Sequence, residues 1–139
     1  MFIAAGQIIP SVTGKSWDDF VNERIFAPLG MVSSNTSTHA LEGVEDIATP
    51  HIRIDGKTRP IAWRNLDNGG PAAGINSNVL DMAQWIRLQL GRGTFEGNQL
   101  YSTTAAEEMW SPQTIIPITP PTPPLPAFLK PHLSAYGFG

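Results

Sequence analysis

Seven of the chain's 13 prolines crowd into one stretch: Pro117, Pro120, Pro121, Pro123, Pro124, Pro126 and Pro131. A proline has no backbone N–H to donate and a fixed φ, so this stretch is barred from helix and from the interior of a sheet. From Pro112 onward the chain is therefore predicted to run as an extended, polyproline-like connector. The chain is provisionally divided into 1–111, a helical portion with a hairpin near 51–63, and 112–139, a Pro-rich connector leading into a sheet strand. Two uses of the proline tract stay open. It is a connector whose Ile115, Ile116, Ile118, Leu125 and Phe128 pack back on a domain, or it is a ligand for domains of the SH3 type.

Ahead of the tract the hydrophobic period is mostly helical. Phe2, Ala5, Ile9 and Val12 recur at helix spacing over residues 1–13, with Pro10 expected to kink the last turn and Thr13-Gly14 to stop it. Ser16 with Asp19 three positions on predicts a capped second helix, whose buried stripe is Trp17, Phe20, Val21 and Ile25 and whose end is Pro28. Residues 32–47 are polar and irregular. His51-Ile52-Arg53-Ile54 alternates like a half-buried strand, and Asp55-Gly56 signals a type I′ turn. Lys57 to Trp63 returns as the partner, with Pro60 forcing an edge or a bulge. After a loop at Asn68-Gly69-Gly70-Pro71, Asn76 or Ser77 caps a helix over 78–90. Its stripe is Val79, Met82, Ala83, Ile86 and Leu90, with Gly91 at the left-handed position past its end. A last helix is predicted over 103–110, with Thr104 and Glu107 as its capping box. The pattern is α+β, mostly helical, with one hairpin near 51–63.

Composition narrows the function classes. The chain has 139 residues, 41% of them apolar, and four tryptophans, enough for a core, while only 15% are charged. A net charge of −3 provides no basic face for nucleic acid. The absence of cysteine removes disulfides, thiolate nucleophiles and cysteine metal sites together. Phe2 to Ile9 is apolar but lacks the basic leader of a signal peptide and the ~20-residue length of a membrane span. Both this start and the finish at Tyr136-Gly137-Phe138-Gly139 read as cut ends, the latter resembling the start of a strand. The compartment stays open.

A direct search for catalytic residues finds none. Serine three residues before lysine brings the amine beside the hydroxyl on one helical turn. The residues three before Lys15, Lys57 and Lys130 are Val12, Ile54 and Ala127. The esterase elbow G-x-S-x-G is absent too. Thr13-Gly14-Lys15-Ser16 mimics the tail of a phosphate-binding loop, but Ile9 stands where its first glycine belongs, so it reads as a helix stop and a cap. His39, His51 and His132 have no second ligand at metal-binding spacing and read as surface or hairpin residues. Asp18-Asp19 and Glu107-Glu108 suit the positive ends of helices better than acid–base work. Met31, Met82 and Met109 with Trp17, Trp85 and Trp110 read as core. No metal and no cofactor is expected.

Three stretches, in this order, resemble one known family. The first runs Ala5-Gly6-Gln7-Ile8-Ile9 through Thr13-Gly14-Lys15-Ser16-Trp17 to Ile25-Phe26-Ala27-Pro28-Leu29-Gly30-Met31. The second is Pro71-Ala72-Ala73-Gly74-Ile75-Asn76-Ser77 followed by Asp81-Met82-Ala83-Gln84-Trp85. The third is Met109-Trp110-Ser111-Pro112-Gln113, with Ala135-Tyr136-Gly137-Phe138-Gly139 beyond it. Together they resemble the serine β-lactamase and penicillin-binding-protein-like family, in its class C and esterase branch. The resemblance implies an interior piece, mostly the helical domain of that fold, with Ser-x-x-Lys, Tyr-x-Asn and His/Lys-x-Gly all outside the chain. It implies acyl transfer through a serine ester, on a small-molecule or peptide acyl substrate, by the full-length protein, and an inactive piece in isolation. It also places Ala73, Gly74, Ile75 and Asn76 at the substrate cleft. Class C enzymes carry a tyrosine where Ala73 stands, so a more open cleft is expected, suiting an ester or a D-amino-acid peptide. Close packing of Ala72-Ala73-Gly74 at the start of a helix is compatible with that role. The competing reading is a non-catalytic binding module.

Overall fold

A computed structural model describes residues 2–118 and 131–138. The prolines from Pro120 to Pro126 lie outside the described residues, and with them the connector and SH3-ligand readings. The chain divides into two units, residues 1–86 and 87–139. Its composition is α+β: helices carry most of the regular structure among the described residues, and the strands form three separate two-stranded antiparallel pairs there.

In the first unit, α1 spans Phe2–Thr13 and continues through Pro10, with Gly14 N–H closing a 2.9 Å bond to the Pro10 carbonyl. Proline costs a helix one donor, and here the helix keeps its course past it. The expected stripe is not the packed one. Phe2 and Val12 are exposed, and the buried residue is Gly6, where a Cβ would collide with the ring of Pro71. A glycine contact that lets two backbones approach leaves no apolar period to read.

Ser16 caps α2 (Trp17–Val21) as predicted, its Oγ accepting from Asp19 N–H at 3.0 Å. The same hydroxyl donates to the Asp19 carboxylate at 2.7 Å. Helix then widens into a π-turn over Asn22–Phe26 and resumes as α3, Ala27–Leu29. The extra residue moves the buried series from the predicted Trp17, Phe20, Val21 and Ile25 to Val21, Phe26 and Leu29. Pro28 lies inside α3 and does not end it. Gly30 ends it, left-handed at φ 66°, with Gly30 N–H bonded to Ala27 O and Met31 N–H to Phe26 O. That is a Schellman stop, and its two apolar ends, Phe26 and Met31, are both buried. The Pro-Leu-Gly-Met sequence is thus a helix terminator with a fixed exit direction.

β1 (His51–Ile54) and β2 (Lys57–Pro60) form the predicted hairpin, with Asp55 and Gly56 both at positive φ. β2 ends at Pro60, three residues before the expected Trp63: Ile61 N–H still bonds the Pro50 carbonyl at 2.9 Å, but Pro50 has no N–H to return. Every residue of the pair is exposed, so the half-buried face expected of Ile52 and Ile54 is not covered here. The supposed loop at 68–71 is a 3-10 turn, Asp67–Gly69, running into α4, Gly70–Ala73.

α5 spans Val79–Leu90, close to the predicted 78–90. Its cap is Asn78, whose Oδ1 accepts from Asp81 N–H at 2.9 Å, instead of Asn76 or Ser77. The predicted stripe is turned outward, with Val79 81% and Leu90 76% exposed. Asp81 and Leu88 are buried in its place, with Gln84 and Trp85 half-buried between them. Spacing of three, four and seven residues makes that a proper helical face, but one whose first member is a carboxylate.

In the second unit the left-handed residue after α5 is Arg92 (φ 50°), not Gly91. Gly91 is needed for space, because a Cβ there would collide with the carbonyl of Thr94. β3 (Thr94–Phe95) and β4 (Asn98–Gln99) form a second tight hairpin on Glu96-Gly97, which the sequence reading missed. α6 covers Thr103–Trp110 as predicted, capped by Ser102 instead of by a Thr104–Glu107 box. Trp110, expected in the core, is 68% exposed. β5 (Thr114–Ile115) pairs with β6 (Ala135–Tyr136), so the two ends of the proline tract meet and Tyr136 does lie in a strand.

Candidate functional site

The segment singled out by resemblance, Ala73 to Asn76, alternates sharply in burial. Gly74 is buried and Asn76 half-buried, while Ala73 and Ile75 are exposed. Gly74 sits where a Cβ would lie 2.7 Å from Gly70 Cα and 3.0 Å from the carbonyls of Gly70 and Thr36. All three are backbone atoms, so only glycine fits without moving the chain. Close packing, expected of Ala72, Ala73 and Gly74 together at the start of a helix, holds for Gly74 alone, which caps the end of α4, while Ala72 and Ala73 are exposed.

Support for this segment comes from residues 33–37, some 40 positions upstream. Asn35 and Asn76 exchange both backbone hydrogen bonds, at 3.0 and 2.9 Å, in an isolated antiparallel bridge. Their side chains repeat the link, with Asn76 Nδ2 donating to Asn35 Oδ1 at 2.9 Å. Asp81, 5% exposed, holds the same loop from the helix side. Its Oδ2 accepts from Ser33 N–H at 2.9 Å and from Ser34 Oγ at 2.8 Å. With its proton given to Asp81, Ser34 accepts from Ser77 Oγ at 2.8 Å. A carboxylate buried at a helix N-terminus with two donors is satisfied without a cation. Ser37 Oγ and Asn65 Nδ2 both donate to Asp67 Oδ2, at 2.9 and 3.0 Å, which ties the next loop to the same frame.

Beside Ala73 lies a cavity of about 170 Å³, also lined by Gly74, Asn76, Trp63, Arg64, Leu66 and Asp67. The sequence reading had no signal for Trp63 or for the 33–37 partners, because nothing in local pattern links residues 30 to 48 positions apart. Chemically the arrangement can bind and orient. It holds no nucleophile–base pair: among the described residues no serine hydroxyl bonds a lysine amine or a histidine ring. His39 pairs with Glu42 at the surface, and His51 Nδ1 lies 2.7 Å from the Thr49 carbonyl. Among the described residues no three His, Asp or Glu side chains cluster as a metal site would need, and no helix is long and apolar enough to cross a membrane.

A family model described as Beta-lactamase matches residues 2–137. The chain belongs to the beta-lactamase family. "Unguisins hydrolase ungD'" from Aspergillus campestris is 28% identical over 124 residues, covering 87% of this chain and 22% of that protein. "Penicillin-binding protein 4" from Amycolatopsis lactamdurans is 28% identical over 109 residues, covering 75% of this chain and 28% of its own length. The octameric penicillin-binding protein homologue from Pyrococcus abyssi superimposes with a TM-score of 0.71 at 23% identity, over 99% of this chain and 27% of that one. The chain thus spans about a quarter of the length of each relative. Its α+β arrangement is that of the corresponding part of a beta-lactamase and penicillin-binding-protein-like fold. The family resemblance drawn from three stretches of sequence is confirmed.

Proposed function

We propose that residues 1–139 border the acyl-binding cleft of a serine hydrolase whose nucleophile and proton-transfer groups lie outside them. The serine oxygen attacks an acyl carbonyl, the leaving group departs with a proton, and water then cleaves the serine ester. Backbone N–H groups stabilise the negative oxygen formed at each step. Esters, D-amino-acid peptides and β-lactams are the substrate classes, with Ala73 favouring the first two. Ala73, Gly74, Ile75 and Asn76 contribute shape and position, and no residue of the chain is assigned a catalytic role. On this reading residues 1–111 belong to the helical domain and 112–139 lead toward the sheet.

The observation that carries the proposal is the unbroken family match over residues 2–137, which takes in the rigidly supported Ala73 rim. Its test is covalent labelling of the full-length protein with a fluorescent fluorophosphonate and a fluorescent penicillin. Labelling is expected, is abolished when the serine of Ser-x-x-Lys is changed to alanine, and does not occur on residues 1–139 alone. A folded full-length protein that takes neither label and turns over no ester is instead a binding module.

A further inference from the structure

One aromatic side chain lines the cavity beside Ala73, that of Trp63. It lies in the irregular segment after β2, 44% exposed, and its indole N–H makes no hydrogen bond among the described residues. Its ring walls two cavities at once. One is the space of about 170 Å³ that ends at Ala73. The other, of about 260 Å³, has Leu41 and Ile47 on its apolar side and Asn65 at its rim. Thr38 and Trp63 line both, so the two cavities adjoin at these residues. The frame behind them is stiff, because Ser37 and Asn65 hold Asp67 and the Asn35–Asn76 bridge holds Asn76.

We propose that Trp63 sets acyl-group selectivity, presenting its face to an aromatic or branched apolar group and its N–H to an amide carbonyl of the same ligand. The reaction in this statement rests on the serine hydrolase reading above; the binding does not. Size supports it. At about 170 Å³ the space beside Ala73 has the volume of a single ring, since about 150 Å³ takes up benzene. Its mixed lining of Trp63, Leu66 and Ala73 with Thr38, Arg64, Asp67 and Asn76 suits a ring carried on a polar amide. Ala73, Gly74 and Asn76 all border that space, and a tyrosine in place of Ala73 would fill much of it. An indole face offers dispersion and quadrupole contact to a flat ring and little to a two-carbon acyl group.

The experiment uses the full-length protein with p-nitrophenyl phenylacetate and p-nitrophenyl acetate. Trp63→Ala is expected to lower kcat/KM for the phenylacetate about ten-fold, leave the acetate within about two-fold, and be largely rescued by Trp63→Phe. Equal losses on both esters, or unchanged selectivity, would overturn the proposal. A second readout needs no turnover. The Trp63 indole N–H resonance, assigned by its absence in Trp63→Phe, is followed while phenylacetyl-D-alanine or acetyl-D-alanine is added. A saturable shift with the first and none with the second supports the subsite, even if neither ester is hydrolysed and the hydrolase reading falls. No shift with either sinks it, whatever the activity.

Discussion

Removing the Asp81 carboxylate is the sharpest test of how the Ala73 rim is held. Asp81→Ala deletes two charge-assisted hydrogen bonds, from Ser33 N–H at 2.9 Å and Ser34 Oγ at 2.8 Å. Each such bond contributes about 1.5–3 kcal/mol. Ser33 is exposed and Ser34 half-exposed, so both freed donors reach water and the lower end applies, about 3 kcal/mol in total. The loss falls on the attachment of residues 33–37 to the helix start, and so on the Asn35–Asn76 bridge. Hydrogen exchange in the full-length protein reads it directly, since local opening governs the exchange of those two amides. At about 1.4 kcal/mol per factor of ten, Asn35 and Asn76 should exchange about a hundred-fold faster. Ile61 N–H, bonded to the Pro50 carbonyl at 2.9 Å beside the hairpin, should be unaffected. Ser34→Ala should give roughly the square root of the acceleration, and adding it to Asp81→Ala should add little. Exchange at Asn35 and Asn76 within about three-fold of the parent in Asp81→Ala would refute the reasoning and mean that the bridge holds itself.

Three further outcomes follow from single contacts. Gly74→Ala meets only backbone at 2.7–3.0 Å and should cost about 1–3 kcal/mol in denaturant unfolding, while Ala73→Ser next to it should stay within about 0.5 kcal/mol. Tyr101 buries its hydroxyl without a partner among the described residues, so Tyr101→Phe should stabilise by about 1 kcal/mol. Burial also raises the Tyr101 phenol above its ordinary value. Ionisation of this group therefore leaves stability unchanged below about pH 10 and lowers it as pH rises from there through the folded value, and Tyr101→Phe should flatten that decline in denaturation midpoints. Glu96 adopts φ 48°, which asparagine tolerates better, so Glu96→Asn should raise the melting temperature despite losing the exposed ion pair with Arg87.

Legibility in the sequence followed the range of the interaction. Ser16 capping, the Asp55-Gly56 turn and the extent of α6 are decided within four residues, and the sequence reading found each of them. Single-residue shifts defeated it elsewhere. The π-turn after Val21 replaced Ile25 by Phe26 in the core, and the Gly91-Arg92-Gly93 run hid which residue was left-handed. For α5 the apolar count pointed to Val79 and Leu90, whereas the burial of Asp81 is decided by donors on a loop 47 positions earlier. At the candidate site, family likeness located Ala73 to Asn76 but not Trp63, Asp67 or the 33–37 bridge.

By itself, the sequence determined the α+β character, most helix positions, the first hairpin and the family, because local propensity and motif order need no partner. Tertiary structure alone decided which face of each helix turns inward, why Gly6 and Gly74 must be glycine, and that Trp63 and Ala73 line one cavity. Those outcomes depend on backbone approach and on hydrogen bonds between distant segments. Neither leaves a periodic trace along the chain.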